Sequence, residues 1–296
     1  MKTLRVLVLG NVTVDHVLST HGLPEADTKI NATGYEVYAG GQAANVAATL
    51  ALLGFDVRFA GRFGDDPGGV LNRQAFAKLG VDLGLSQTVE NCRHHFACIL
   101  VSGRQRTITM YRDPRLGLDS LEIPQDQVSQ CAAIYTDGHE GPASLRLAAQ
   151  ARRAGVPVIA DMEAIGADSA ALVALTDHLI APLQIVQQLG GHDDIVEALR
   201  AVRALGPSNV VATMGVKGAA GLAEGADRPE FVAAVACDVI DTTGAGDAFH
   251  AGYLASLLRG QTLRERLEFA AAIASKKCET AGPRLTALDT PAPMRR

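Results

Sequence analysis

The sequence predicts an α/β fold in which helices flank both faces of a mostly parallel sheet and a small β-sheet forms a lid. From about residue 132 onward, short apolar strands alternate with amphipathic helices, a pattern typical of parallel sheets. The run 5–9 is apolar almost throughout, as expected of a strand buried on both faces. The segments at about 12–39 and 91–112 contain strand patterns without partner helices, so both are predicted to form the lid. We expect a single domain, residues 1–296, with these lid segments inserted in it.

Glycines mark the ends of the first predicted helices. Apolar residues recur at helical spacing in 40–53 and 70–79, and each run stops at a glycine, Gly54 or Gly80, which commonly terminates a helix. The other elements predicted before residue 131 are a strand at 57–60 and a hairpin of strands 96–101 and 106–111 that turns at 102–104.

Beyond residue 131 the alternation of strands and helices is regular. Each strand is a short β-branched or apolar run, and each helix has an apolar face at helical spacing. The predicted strands are 132–135, 157–160, 178–181, 209–213, 218–224 and 231–235. The predicted helices are 142–154, 169–175, 195–205, 249–259 and 263–277. The tail 290–296 is predicted to be frayed.

Composition and charge narrow the classes of protein. Hydrophobic residues make up 48% and charged residues 20% of the 296 residues, which suffices for a large globular core. The net charge is −5, the pI is near 5.9, and there is no basic stripe, so nucleic acid is not an expected partner. Five cysteines without a Cys-x-x-Cys pair predict free thiols in a reducing cytoplasm. The apolar run near the N-terminus is too short to span a membrane, so no membrane partner is expected.

A loop of small residues, 241–249, leads directly into a helical pattern. Gly244 to Asp247 is therefore predicted to be the first turn of a helix, where free backbone N–H groups and the helix dipole bind an anion without a basic side chain. Asp247 adds a carboxylate to this cradle. An anion hole with a built-in base is what phosphoryl transfer from ATP to an alcohol needs. The alternative is an ordinary helix start in which the aspartate is a cap.

A second glycine motif, 40–47, lies at the start of the first predicted helix. Gly41 would let a ligand approach the backbone closely, and Asn45, one turn into the helix, could direct its amide toward that ligand. A third glycine-rich stretch follows at 61–68. Any one of these pieces alone is as well explained by a helix start or a tight turn.

Taken in this order, the motifs resemble those of PfkB-type carbohydrate kinases of the ribokinase-like superfamily. Residues 40–68 resemble the N-terminal signature of that family and 241–249 the C-terminal one, and the resemblance covers nearly the whole chain. It implies a Rossmann-type core with a β-lid, ATP as phosphoryl donor, Mg²⁺, and a sugar or nucleoside bound under the lid. A lid with an exposed apolar face also predicts a homodimer formed through the lid.

The resemblance implies a role for individual residues. Asp247 would be the catalytic base, and Gly244, Ala245 and Gly246 the anion hole. The residues expected to bind substrate are Asp15, Asp27, Gly41, Gln42, Asn45, His139 and Arg112. The residues expected to bind the nucleotide are Thr213, Gly215, Gly218, Thr243 and Lys277.

Metal binding departs from the family pattern. Many relatives carry an Asn-x-x-Glu motif that helps to organise Mg²⁺, whereas the corresponding stretch here, 181–186, contains no acidic residue. Glu163, at the end of a neighbouring strand, is a predicted substitute, although a solvated loop acid explains it equally well. Asp241 and Thr243 lie where some relatives bind a monovalent cation such as K⁺.

The acceptor is predicted to be a keto-sugar phosphorylated on a primary hydroxyl, as in a fructokinase. This rests on a finer resemblance to ketohexokinases and sulfofructose kinases. The stretches that carry it are 106–112, 137–139 and 274–278. Arg112 or Arg115 could reach an anionic substituent on the substrate.

The sequence is also compatible with two other functions. In a nucleoside kinase of the same superfamily, Phe96, Tyr38 and Met110 would form the slot for the base. A ligand-sensing homologue with weak catalysis would explain the missing Asn-x-x-Glu motif. An oxidoreductase is not supported, because no glycine fingerprint follows the first strand.

Overall fold

An eight-stranded sheet forms the centre of the protein in the computed structural model, which describes residues 3–103, 105–139 and 141–287. The predicted frayed tail, 290–296, lies outside these residues. The parallel strands, in spatial order, are β4 (Asp56–Ala60), β1 (Arg5–Leu9), β9 (Ala133–Thr136), β10 (Val158–Asp161), β11 (His178–Pro182) and β12 (Asn209–Thr213). The antiparallel strands β13 (Ala219–Leu222) and β14 (Glu230–Val232) extend the sheet beyond β12.

Strand β1 shows why the central strands are apolar on both faces. Successive side chains of a strand point to opposite faces. Val6 and Val8 pack into one hydrophobic core, whereas Leu7 and Leu9 pack into a second core on the other face. All four side chains are almost fully buried. The prediction of a buried first strand is therefore confirmed.

Helices cover both of these cores. The helices α1 (Gln42–Leu52), α8 (Ala245–Leu258) and α9 (Leu263–Cys278) pack on the face of Val6 and Val8. The opposite face is covered by α4 (Gly141–Ala154), α5 (Ser169–Leu175), α6 (Leu183–Gly190) and α7 (Ile195–Ala204). The other two α-helices of the described chain are α2 (Pro67–Leu79) and α3 (Gln125–Ser129). Among the described residues, no helix has both the length and the apolar composition that crossing a membrane requires.

The lid is a separate four-stranded sheet. Its strands, in spatial order, are β3 (Gly34–Gly40), β2 (Thr13–Ser19), β7 (Phe96–Ser102) and β8 (Gln105–Tyr111). Each of the two segments predicted to form a lid thus contributes two of these strands. The small sheet of β5 (Arg62–Gly64) and β6 (Gln87–Val89) was not predicted.

The register of the lid strands determines which side chains share a face. Asp15 of β2 is paired with Tyr38 of β3 and with Ala97 of β7, and Ala97 is paired with Met110 of β8. These four residues therefore lie on one face of the lid. Phe96, one residue before Ala97 on β7, lies on the opposite face.

The two sheets meet where β1 leads into the lid. Residues at the carboxyl ends of β1, β9 and β10 lie at this junction, together with the N-terminus of α1, which follows the last lid strand of the first segment directly. Open α/β sheets bind their ligands beyond the carboxyl ends of the strands. The junction is thus the place to look for a site.

Candidate active site

The first turn of α8 is open toward this junction. The helix begins at Ala245, and no side chain caps its N-terminus. Helix geometry leaves the N–H groups of Gly246 and Asp247 without an intrahelical acceptor. A methyl group on Gly246 would meet no protein atom within 4 Å, so the space beside this turn is open to a ligand. These features favour anion binding over the alternative in which the aspartate is a simple cap.

Gly244 is needed where it stands, immediately before α8. Its φ of 76° is in the left-handed region, and a Cβ atom there would lie 2.0 Å from the carbonyl oxygen of Pro283. Asp241 fixes the start of the same loop, because its carboxylate accepts the N–H groups of Thr243 at 2.8 Å and Gly282 at 2.9 Å. Gly282 and Pro283, in the segment after α9, therefore hold the anion loop in place.

Asp247 is a buried carboxylate beside this open turn. Its Oδ2 atom accepts a hydrogen bond of 2.7 Å from Nδ2 of Asn45 on α1. Burial raises the pKa of Asp247 to about 8, against the opposing effect of the Asn45 hydrogen bond and with support from the charges of Glu163 and Asp137. A carboxylate with a pKa near neutrality is well matched to take a proton from an alcohol.

Arg284 holds the other side of the Asn45 amide. Its Nε atom donates to Asn45 Oδ1 at 2.9 Å, and its Nη2 atom donates to the Gly40 carbonyl at 3.0 Å and to Asn72 Oδ1 at 3.1 Å. The guanidinium lies 5.1 Å from the centre of the Phe76 ring. Burial lowers its pKa to about 10, against the effect of Asp15 and Asp247. Sequence reasoning missed Arg284, because no pattern distinguishes an arginine in a loop after α9.

Asp15 faces the site from the base of the lid. It is buried, and its Oδ1 atom accepts a hydrogen bond of 2.9 Å from the Thr13 hydroxyl. Gly40 makes room for it, since a Cβ atom there would lie 2.5 Å from Asp15 Oδ2. Burial raises the pKa of Asp15, and Thr13 and Arg284 oppose that change. The carboxylate is thus positioned to accept hydrogen bonds from hydroxyl groups of a ligand.

The N-terminus of α1 brings together three more polar residues. Asp137, at the end of β9, accepts the N–H groups of Asn11 at 2.7 Å and Ala43 at 3.3 Å. Gln42 Oε1 is within hydrogen-bonding distance of His139 Nε2, while its Nε2 atom is buried without a partner in the described structure. Sequence reasoning assigned Asp137 no role in anchoring this helix.

Gly41 has a structural explanation of its own. Its φ is 97°, and a Cβ atom there would lie 2.7 Å from both the Asn11 carbonyl oxygen and Val12 Cα. The close approach that the glycine permits is that of the chain itself. A role of Gly41 in ligand binding stays a prediction.

Two predicted substrate residues lie farther out on the lid. Asp27 is exposed, with a φ of 61°, in the loop between β2 and β3, and Arg112 is exposed just after β8. Within the described residues, no hydrogen bond joins either of them to Asp247 or Asn45. Arg115 is held by Asp113 at 2.6 Å and by the Asn91 carbonyl at 2.9 Å, so its guanidinium is already engaged.

The predicted nucleotide motif follows β12. Thr213 ends that strand, and the motif glycines Gly215 and Gly218 have φ values of 57° and 89°. A Cβ atom at Gly218 would lie 1.9 Å from the Val232 carbonyl oxygen. Lys277 is different, because its amine is buried and donates to carbonyl oxygens of the chain. This geometry does not favour direct contact between Lys277 and a nucleotide.

The acidic residues at the end of β10 are relevant to the predicted Mg²⁺ site at Glu163. Asp161 is buried, burial raises its pKa well above the usual range, and its Oδ2 atom lies 3.6 Å from His250 Nδ1. Glu163 is exposed and raises the pKa of both Asp161 and Asp247. In the described part of the chain, no group of three or more His, Cys, Asp or Glu could hold a metal ion. Mg²⁺ at an ATP site usually needs only one or two carboxylates besides phosphate and water, so Glu163 remains compatible with that mode.

Comparison with known proteins identifies the family. The model of the pfkB family of carbohydrate kinases matches residues 3–291. The chain belongs to this family. The kinase is 30% identical over 290 residues to a ribokinase of Arabidopsis thaliana, covering 91% of this chain and 75% of that protein. It is 25% identical over 296 residues to a ketohexokinase of Mus musculus, covering 95% of this chain and 98% of that protein.

A solved structure agrees with this assignment. The structure of Arabidopsis thaliana ribokinase complexed with ribose and ATP superimposes with a TM-score of 0.82 at 26% identity, covering 95% of this chain and 94% of that one. The predicted ribokinase-like α/β fold is confirmed. The kinase is an ATP-dependent carbohydrate kinase.

Proposed function

We propose that the kinase transfers the γ-phosphoryl group of ATP to a primary hydroxyl of a small sugar, with Asp247 as the base. The observation that carries this proposal is a buried carboxylate whose pKa is raised to about 8, located on a helix turn with free N–H groups. A base and an anion hole lie side by side at the point where the lid meets the core.

The proposed reaction uses groups of this chain at each step. Asp247 takes the proton of the attacking hydroxyl while the new O–P bond forms and the bond from the γ-phosphorus to the leaving oxygen of ADP breaks. The N–H groups of the turn 244–247 stabilise the charge on the transferring phosphoryl group. Asn45 keeps the Asp247 carboxylate oriented through its hydrogen bond. Glu163 is the residue proposed to hold Mg²⁺, which would supply further neutralisation of phosphate charge when bound with the nucleotide.

The proposed acceptor site lies between the lid base and α1. Asp15, Asn45 and Gln42 supply acceptors and donors for sugar hydroxyls, and the unpartnered Nε2 atom of Gln42 is a donor still free for a ligand. The finer resemblance noted above favours a keto-hexose such as fructose. The similarity to a ribokinase makes ribose the second acceptor to test.

The lid register weakens the case for a nucleoside acceptor. The nucleobase of a nucleoside needs an apolar or aromatic slot on the face of the lid that carries Asp15. Phe96 lies on the opposite face, so only Tyr38 and Met110 of the three expected residues remain. The ring of Tyr38 already packs against Gly282. A weakly catalytic sensor is less well supported, because it would have no use for a buried base at the anion hole.

The test is coupled ADP release with Mg-ATP and a panel of fructose, other ketohexoses, ribose, phosphorylated and sulfonated sugars, and adenosine. Asp247→Asn, which keeps the shape and the Asn45 contact, is the matched control and should lower turnover by about a thousandfold. Turnover with a sugar that this variant abolishes supports the proposal. Turnover with adenosine alone would favour a nucleoside kinase, and ATP binding without any turnover would favour the sensor.

A further inference from the structure

Lys277 carries a buried amine that the proposed mechanism does not use. It lies in the last turn of α9 and is 0% exposed, which is rare for lysine. Its Nζ atom donates to the carbonyl oxygens of Asp241 at 3.0 Å and Thr280 at 3.1 Å. Burial lowers its pKa, and the charge of Asp241 opposes that change. The surroundings therefore include specific groups that stabilise a positive charge.

These contacts tie the anion loop to the C-terminal end of α9. The N–H groups of Ile240 and Asp241 both donate to the Cys278 carbonyl, at 2.8 Å and 3.1 Å. The Lys277 amine then holds the Asp241 carbonyl from the same helix end. The C-terminus of a helix carries the negative end of its dipole and favours a cation. The Lys277 amine thus contacts Asp241, the first residue of the anion loop.

The same position is where the family resemblance predicts a monovalent cation, at Asp241 and Thr243. The residues present do not fit one. The Asp241 carbonyl faces the Lys277 amine, and both carboxylate oxygens of Asp241 accept backbone N–H groups. A second positive charge would share its ligands with the ammonium and be repelled by it.

We propose that Lys277 supplies, as a fixed part of the chain, the positive charge that orders the anion loop 241–247, so that the kinase works without a monovalent cation. Lys277 is then a positioning residue, because it acts on the nucleotide through the loop. The proposal rests on the proposed function only in assigning the loop to the phosphates of ATP.

The first test compares wild-type kinase in potassium chloride and in tetramethylammonium chloride at equal ionic strength. We expect the affinity for Mg-ADP, measured by calorimetry, and the thermal midpoint to be the same in both salts. A potassium-dependent gain in ADP affinity of about fivefold or more, the lower end of typical coupling between sites, would overturn the proposal. This readout needs no acceptor, so it stands even if the proposed sugar chemistry fails.

The second test removes the charge. Lys277→Met keeps most of the side-chain length but leaves the two carbonyls without their donor. We expect it to weaken ADP binding by about tenfold and expect ammonium or potassium ions, which are similar in size to the lost group, to restore part of the affinity. Tetramethylammonium is too large to do so.

Lys276→Met is the matched control. Lys276 is the preceding residue, its side chain is half exposed, and its amine pairs with Glu279 at 2.9 Å on the surface. We expect this variant to bind ADP like wild type in every salt. If Lys277→Met binds ADP as tightly as wild type, or if small cations rescue neither its affinity nor its thermal midpoint, the proposal is wrong. If that variant does not fold, the wild-type salt comparison decides.

Discussion

The Asp247 carboxyl combines burial with a single strong hydrogen bond, and this fixes the pH dependence expected of the reaction. Because the pKa of Asp247 is raised to about 8, the carboxyl is protonated at lower pH and cannot accept the hydroxyl proton. We expect kcat/KM, which reports the free enzyme, to rise with pH and to reach half of its plateau near pH 8.

The control for this pH profile is Asn45→Ala. The hydrogen bond from Asn45 lowers the pKa of Asp247, so its loss should move the midpoint of kcat/KM to higher pH. A wild-type profile that stays flat across the expected midpoint would contradict the assignment of Asp247 as the base.

Arg284 should also influence the pH profile of kcat/KM, because it holds Asn45, the hydrogen-bond donor to Asp247. Arg284→Met removes the donor that holds Asn45 Oδ1 and a positive charge that interacts with Asp247. We expect kcat to fall by about tenfold or more and the midpoint of kcat/KM to move to higher pH. Arg284→Lys, which keeps the charge but not the three hydrogen bonds, should recover the midpoint better than the rate.

Arg259→Met provides the comparison for Arg284. Its guanidinium also lies over aromatic rings, 5.1 Å from the centre of Phe269 and 5.8 Å from that of Phe55, but far along α8 from Asp247. A pH midpoint that moves equally in both variants would show that Arg284 acts only through general packing.

The contrast between Asp247 and Arg284 shows what the sequence can and cannot predict about a site. The anion loop and its base are neighbours in the chain, so their chemistry can be read from local spacing. The contact between Arg284 and Asn45 joins residues that are 239 positions apart. Nothing local marks such a residue, because its role exists only after the chain has folded.

At the scale of elements, the two glycines of the anion loop should behave differently. Gly244→Ala forces a non-glycine residue into the left-handed region, at a cost of about 1 to 2 kcal/mol, and adds a clash with Pro283. We expect a lower thermal midpoint together with weaker ADP binding. Gly246→Ala meets no protein atom within 4 Å, so it should weaken binding of a non-hydrolysable ATP analogue, which carries the γ-phosphoryl group, while the thermal midpoint does not fall.

Calorimetry with Mg-ADP and with a non-hydrolysable Mg-ATP analogue, together with thermal unfolding of both variants, checks this pair of expectations. Equal losses of stability would mean that the turn at Gly246 is constrained by the protein rather than left open for the ligand. Unchanged binding of the ATP analogue in Gly246→Ala would remove the support for the anion hole.

The sequence did not predict the helices α3 and α6 or the strands β5 and β6, and α3 has only five residues. Helix α6 begins at Leu183, immediately after β11 ends at Pro182, so no loop or polar cap separates the two. The strands β5 and β6 have only three residues each, too few for a period to be recognised. Apart from α6, the helices after residue 132 were predicted because each has its own apolar face.

At the scale of the whole molecule, the lid predicts a homodimer. Ile108 and Met110 of β8 are 46% and 47% exposed, on the same face of the lid as Asp15. Exposed apolar side chains on one sheet face are typical of an interface. We expect wild-type kinase to be a dimer by light scattering and Ile108→Glu to be a monomer.

Leu205→Glu is the control for the dimer. Leu205 is similarly exposed, at 48%, but follows α7 on the core, away from the lid. The Leu205→Glu variant should have the same molecular mass in solution as the wild-type kinase. A monomeric wild type, or dissociation by both substitutions, would contradict an interface formed by the lid.

Besides the end of α9, the segment after α9 supports the anion loop, because Gly282, Pro283 and Arg284 contact the loop, Asn45 and the base of the lid. During synthesis on the ribosome, both glycine motifs are translated before this segment exists. A nascent chain that ends within α9 already contains Asp247 and the nucleotide motif, but it lacks the residues after α9 that hold the anion loop in place. The capacity to split ATP should therefore arise only after the chain has been translated past Arg284, and unfinished chains in the cell would not consume ATP.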